Sequence, residues 1–247
     1  MKLLVCVSKT PETTTKIKFT PDNTTLDANG VQYIMNPYDE WYALVRAIEL
    51  KEQFGGSVTI INVGPKTNDS TLRKGLAIGA DNAVRVDSEP QSALGVAKQI
   101  ANYAAAENFD MVFLGKETID FNGSEVGAML AELLGMPFIS YASKLEMEAA
   151  GTAVLERDIE GGTEKIELAT PFVLSAAKGL AEQRIPNMRG IMMAKRKPLK
   201  VLEAVAFEDQ AVSVSFALPA EKSAVTLVDP ENMDELVRLL HEEAKVI

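Results

Sequence analysis

The chain reads as an α/β protein with an open, mostly parallel sheet covered by helices on both faces, followed by a β-hairpin and an extended C-terminal arm. Three observations predict this. Short strand-like runs recur at residues 3–7, 58–63, 83–86 and 111–114, and the first is continuously apolar, the pattern of a strand buried on both faces. Amphipathic stretches separate them, and the connections are short, as in strand–helix–strand units. After residue 143 the alternation gives way to two β-rich runs around Gly161-Gly162, a hairpin signal.

The elements follow in order. Residues 3–7 (LVCV within the opening run) resemble a signal peptide only superficially, because the apolar stretch stops at Ser8-Lys9 with no cleavage site, and they are read as a first strand. Residues 17–37 are polar and turn-rich. Asn36-Pro37 reads as a helix start, with Asn as N-cap, Pro at the first helical position, and Asp39 and Glu40 at the positive end of the dipole. Trp41, Leu44, Val45 and Ile48 then share one face, and Gly55-Gly56 ends the helix. Helices are expected over 70–79, 93–106 and 123–134. Runs 153–159 and 165–168 flank the hairpin turn, and 172–176 is one more apolar strand. Beyond residue 180 the alternation is lost; Pro186, Gly190 and Pro198 suggest an extended arm, and a last helix spans 233–244. The expected division is 1–180 for the nucleotide-binding domain and 181–247 for a docking segment and C-terminal arm.

Net charge is −10, which argues against nucleic acid as a partner. The charge is uneven. Residues 183–202 hold six basic side chains and no acid, whereas 203–247 hold ten acids and three bases. One cysteine, Cys6, excludes an internal disulfide and fits a reducing, cytoplasmic setting. No apolar run is long enough to span a membrane.

Open parallel sheets bind ligands at the carboxyl ends of their strands. The loops there are 8–15, 62–65 and, longest and most polar, 115–127, where Asp120, Asn122, Gly123 and Ser124 offer nucleotide contacts. The plainer reading of that loop is a capped strand–helix turn. No Walker or GxGxxG frame is present. The single histidine, His241, excludes a His-based triad or a multi-histidine metal site. A nucleotide site without acid, base or nucleophile favours a binding or carrier role over catalysis.

Four stretches in order resemble one family. They are Met35-Asn36-Pro37-Tyr38-Asp39-Glu40, Leu76-Ala77-Ile78-Gly79-Ala80-Asp81, Gly115-Lys116-Glu117-Thr118-Ile119-Asp120, and the hairpin signature running from Arg157 through Glu160-Gly161-Gly162 to Pro171. The segment from Arg184 to Pro198 completes the match. These are similar to the beta subunits of electron transfer flavoproteins, over residues 1 to about 240. The resemblance implies an adenine-nucleotide alpha-hydrolase-like fold and a heterodimer with an alpha subunit that holds most of an FAD. It implies an electron carrier without catalytic residues of its own, taking electrons from acyl-CoA or other flavin dehydrogenases toward the respiratory quinone pool. By position it puts Thr13 and Tyr38 near the flavin, and Cys6, Val63, Asp120, Gly123, Ser124, Glu125 and Val126 around AMP. Arg184, Met188, Arg189, Lys195 and Lys197 fall in the dehydrogenase-docking segment. Position 13 is often aromatic in relatives, and threonine cannot stack on a flavin. Asp120-Phe121-Asn122-Gly123 does not match the Asp-Gly-Asp run of electron-bifurcating relatives, which favours AMP over a second FAD. A free-standing adenine-nucleotide module is the rival; it leaves the basic segment unexplained.

Overall fold

The computed structural model describes residues 1–148, 151–221 and 224–247. It comprises two compact units, Met1–Ser215 and Phe216–Ile247.

The first unit opens with β1 (Lys2–Cys6), whose side chains alternate between two cores. Leu3, Val5 and Val7 pack with α1 (Asp39–Phe54) and α2 (Asp69–Ile78) on one face. Leu4 and Cys6 pack with α3 (Ala93–Glu107) and α4 (Val126–Leu134) on the other. A strand covered on both faces has no polar side to show, which is why its sequence is continuously apolar. β4 (Ser57–Val63), β5 (Asn82–Asp87) and β6 (Met111–Gly115) are buried on both faces in the same way, with Thr59, Asn62 and Arg85 as buried polar exceptions. The expected helices and strands up to residue 134 lie within a few residues of their observed bounds. The exception is the start of the fourth helix, which waits until Val126.

A nine-stranded sheet results, with order β11-β5-β4-β1-β6-β10-β7-β8-β9. Here β7 is Phe138–Met147, β8 Thr152–Ile159, β9 Gly162–Ala169, β10 Phe172–Ala176 and β11 Leu199–Glu203. Pairing is parallel from β11 to β7 and antiparallel through β7-β8-β9, so the Gly161-Gly162 hairpin extends the main sheet. Chain direction away from β1 reverses between β1 and β6, which makes the crevice above those two strands the topological switch point.

Three features depart from the sequence reading. Strand β7 was not foreseen: Tyr141 has φ of 57° and the register shifts between Ala142 and Lys144, so the period-two pattern breaks in mid-strand. A two-stranded antiparallel ribbon pairs β2 (Lys9–Pro11), in the loop expected over 8–15, with β3 (Tyr33–Met35), in the stretch expected to be turns. The segment from 184 to 203, expected as an extended arm, instead forms α5 (Met188–Ala194) and then β11, which pairs with β5 at the sheet edge. Gly190 explains how α5 seats. A Cβ there would stand 2.4 Å from the Ala77 carbonyl oxygen, so only glycine lets α5 lie this close to α2. Arg73 holds the same junction by donating to the carbonyls of Ala194 and Lys197, both at 2.7 Å.

The second unit carries α6 (Met233–Arg238), continued by a wider π turn over Leu239–Glu243. Asn232 caps α6 by accepting from Glu235 N at 3.2 Å. Leu218, Val225, Leu227, Met233 and Val237 are all more than half exposed. No helix among the described residues is long and apolar enough to cross a membrane.

Candidate functional site

The carboxyl ends of β1, β4 and β6 build the crevice. From β1 the chain leaves through Cys6, Val7 and Ser8; from β4 through Asn62, Val63 and Gly64; from β6 through Gly115 into the 116–125 loop. Asn62 is buried and donates to Val7 O at 2.8 Å, and Asn68 donates back to Asn62 Oδ1 at 2.9 Å. Arg85, also buried, donates to Gly64 O at 2.9 Å and pairs with Asp69 and Asp87. These bonds hold the first two loops rigid with ordinary uncharged backbone at their tips.

The third loop has a different character. Asn122 and Ser124 adopt left-handed φ of 50° and 54°, which costs about 1–2 kcal/mol per residue for non-glycine side chains. The N–H groups of Gly123, Ser124, Glu125, Val126, Gly127 and Ala128 have no acceptor among the described residues. The last three head α4, where the helix dipole also favours negative charge. Six clustered amide donors suit a phosphate. Glu125, at the N-cap position of α4, makes no side-chain cap, leaving the amides uncovered. Ser124 Oγ instead reaches Glu117 at 3.2 Å.

Asn36 ties this loop down, and here the structure corrects the sequence reading. It is not the N-cap of α1; the cap position is Tyr38, at φ 63°, with no side-chain cap bond. Asn36 is fully buried, donates from Nδ2 to Glu117 O at 3.0 Å, and accepts from Ile119 N at 3.1 Å. Its own backbone N–H donates to Ser8 O at 2.9 Å. A single side chain therefore joins the loops that leave β1 and β6.

Two carboxylates expected only to complement the dipole are in fact buried beside the crevice. Glu40 is 4% exposed and accepts from Ser8 N at 2.6 Å. Burial pushes its carboxyl up to about 8, against the pull of the Ser8 hydrogen bond and with a further upward push from Asp120. Burial likewise raises Asp39 to about 6, with Lys116 pulling down and Glu117 up. Gly115 permits this packing: a Cβ there would lie 2.8 Å from Glu40 Cγ and 3.0 Å from its backbone nitrogen. The signal in sequence would have been two acids directly before an apolar helical face, opposite a strand-terminal glycine.

The nine positions expected at cofactors all fall on the carboxyl edge of the sheet or on loops leaving it. Cys6 is buried and Val63 half-buried, while Asp120, Gly123, Ser124 and Glu125 are exposed and Val126 is half-buried. Burial drives the Cys6 thiol far above its usual range, with Glu40 adding to the shift, so it serves as a small core residue and not a nucleophile. Thr13 is exposed and donates to Glu12 at 2.8 Å; Tyr38 is 56% exposed, its ring free to meet another group.

The docking positions form a separate group, on the face covered by α1 and α2. Arg184 makes a two-pronged pair with Glu52 at 2.8 and 3.0 Å, and its carbonyl accepts from Trp41 Nε1 at 3.1 Å. Lys197 turns inward and donates to the carbonyls of Leu76 and Ala80, closing the end of α2. Arg189 and Lys195 are exposed, with no ion pair among the described residues. Met188, between Arg184 and Arg189, is 74% exposed, with Ile185 at 81% and Met192 at 68% along the same stretch.

Comparison with known proteins places the chain in a family. The electron transfer flavoprotein domain model matches residues 23–206. Electron transfer flavoprotein subunit beta of Bacillus subtilis is 36% identical, with all of both chains covered. The mitochondrial beta subunit of Arabidopsis thaliana is 33% identical over the whole of both chains. The beta subunit of Mus musculus is 32% identical, covering 100% of this chain and 99% of its own. Similarity that runs end to end, through the crevice loops and the basic segment alike, is more than a shared sheet would produce, and the chain belongs to the electron transfer flavoprotein family, alongside its beta subunits.

Proposed function

We propose that this chain pairs with an alpha subunit to form an FAD-containing electron carrier, and that its own crevice holds AMP as a structural ligand. The observation that carries the nucleotide reading is the run of six unpartnered amides from Gly123 to Ala128 at the switch point. The dianionic phosphate of AMP would be received by those amides, with Asp120 and Val63 beside the nucleoside. Electron transfer itself is the chemistry of the flavin. This chain would contribute Tyr38, and Thr13 without ring stacking, at the flavin's margin.

The exposed apolar residues of the second unit, Leu227 and Val225 above all, are suited to burial against the alpha subunit. Ile185, Met188 and Met192, bordered by Arg189 and Lys195, suit a dehydrogenase: an apolar anchor for a pocket, with bases to steer an acidic partner. Acyl-CoA dehydrogenases are the donors this reading favours, with delivery toward the quinone pool in the cytoplasm of a bacterium.

Two measurements test it. Co-expression with the alpha subunit should give a yellow heterodimer. Nucleotide released by heat from the isolated chain and separated by HPLC should be AMP with little flavin. Stoichiometric FAD in the isolated chain would instead assign it to the bifurcating class.

A further inference from the structure

The two walls of the crevice are joined by one hydrogen-bonded chain. Glu40 Oε2 accepts from Ser8 N, Ser8 O accepts from Asn36 N, and the Asn36 carboxamide holds Glu117 O and Ile119 N. Glu40 is the only titratable member of that chain, and it lies at its root. The groups facing it are acidic or neutral. The Cys6 thiol comes from β1, Asp120 from the loop after β6, and Asp39 from its own helix, with Lys116 and Glu117 beside Asp39. No lysine or arginine pairs with Glu40 among the described residues. A phosphate brought to the amides of 123–128 would add two negative charges to the loop that carries Asp120, whose own charge already pushes Glu40 upward.

We infer that Glu40 is a proton-carrying positioning residue of the crevice, protonated in the nucleotide complex, so that adenylate binding takes up a proton above neutral pH. The inference rests on the nucleotide reading above. Its basis is geometric: the Glu40 carboxyl is buried beside Cys6 and Asp120 with no cation, and that outweighs the hydrogen bonds from Ser8 and Asn36, which favour the carboxylate; its titration, raised to about 8, agrees. The incoming phosphate repels the carboxylate form and favours the acid, so above about pH 8 binding draws up to one proton per nucleotide from solvent. The other groups do not interfere in this range. Asp39 titrates near 6, Cys6 far higher, and the AMP phosphate is already a dianion above about pH 7.

The experiment is calorimetric titration of the full, nucleotide-stripped chain with AMP at about pH 7, 8 and 9, in pairs of buffers that differ in ionisation enthalpy. The wild-type chain should lose affinity by about threefold or more from pH 7 to 9, with buffer-dependent heats that report proton uptake. Glu40→Gln keeps an acceptor for Ser8 N and should bind AMP with affinity independent of pH and heats independent of buffer. A flat wild-type profile without proton uptake, or the same pH dependence in Glu40→Gln, would overturn the inference while leaving the nucleotide site standing. Absence of AMP binding at every pH would overturn the nucleotide reading itself. Should Glu40→Gln fail to fold, the wild-type buffer comparison decides alone.

Discussion

Gly190→Ala sets two effects of opposite sign against each other. Helix propensity alone predicts a gain, since alanine exceeds glycine by up to about 1 kcal/mol inside a helix, and less at the third residue of a seven-residue helix such as α5. The tertiary contact predicts a loss. The new Cβ would stand 2.4 Å from the backbone oxygen of Ala77, and neither atom can rotate away, so α5 must lift off α2 by about 1 Å to restore van der Waals contact. Overpacking of this kind costs about 1–3 kcal/mol. Lifting also loosens the two Arg73 bonds to Ala194 and Lys197 and the Lys197 bonds to Leu76 and Ala80, each contributing about 1 kcal/mol or more. The loss wins, for a net destabilisation of about 1–3 kcal/mol, or a fall in Tm of about 2–10 °C for a chain of this size. Urea unfolding followed by circular dichroism reads it directly. A Tm equal to or above wild type would mean that α5 does not bear on α2, and the seating of α5 would be refuted.

Other perturbations separate the roles assigned above. Ser124→Pro demands φ near −65° at a residue held at 54°, and also removes one amide, so AMP should no longer copurify; full AMP occupancy by HPLC would misplace the site. Met188→Ala removes a side chain that is 74% exposed, so Tm and heterodimer assembly should hold within about 0.5 kcal/mol while dehydrogenase-dependent flavin reduction falls severalfold. A drop in Tm with reduction intact would make Met188 a packing residue. The pH dependence of stability follows from Asp39 and Glu40, whose carboxyls rise from 3.8 to about 6 and from 4.5 to about 8 on folding. Over that window the folded chain binds more protons than the unfolded one, so this contribution is full below about pH 4 and is lost as pH rises to about 8. Thermal melts should show Tm falling between about pH 6 and 8, a stability loss on the order of a few kcal/mol, with Glu40→Gln removing most of the slope.

The sequence by itself determined the layered sheet, its helices up to residue 134, the hairpin and the strand at 172–176, because these depend on local signals. An apolar run in β1 or β4 can only be buried on both faces, and a Gly-Gly turn can only reverse the chain. It also determined at which edge of the sheet the long polar loop 115–127 lies, since parallel strands place their loops by rule. Tertiary structure alone decided the rest. Strand β7 owes its form to a bulge and to Tyr141 in left-handed backbone, which erase the alternation. Strand β11 reads LKVLE, half polar, and becomes a strand only because β5 offers it a free parallel edge. Asn36 looks locally like a helix cap, yet its partners lie more than 80 residues away, at Glu117 and Ile119. The acidity of Glu40 is likewise invisible in its neighbours along the chain. It is set by desolvation, and desolvation depends on Gly115 and Ser8 being folded against it, a distance in space that no local pattern encodes.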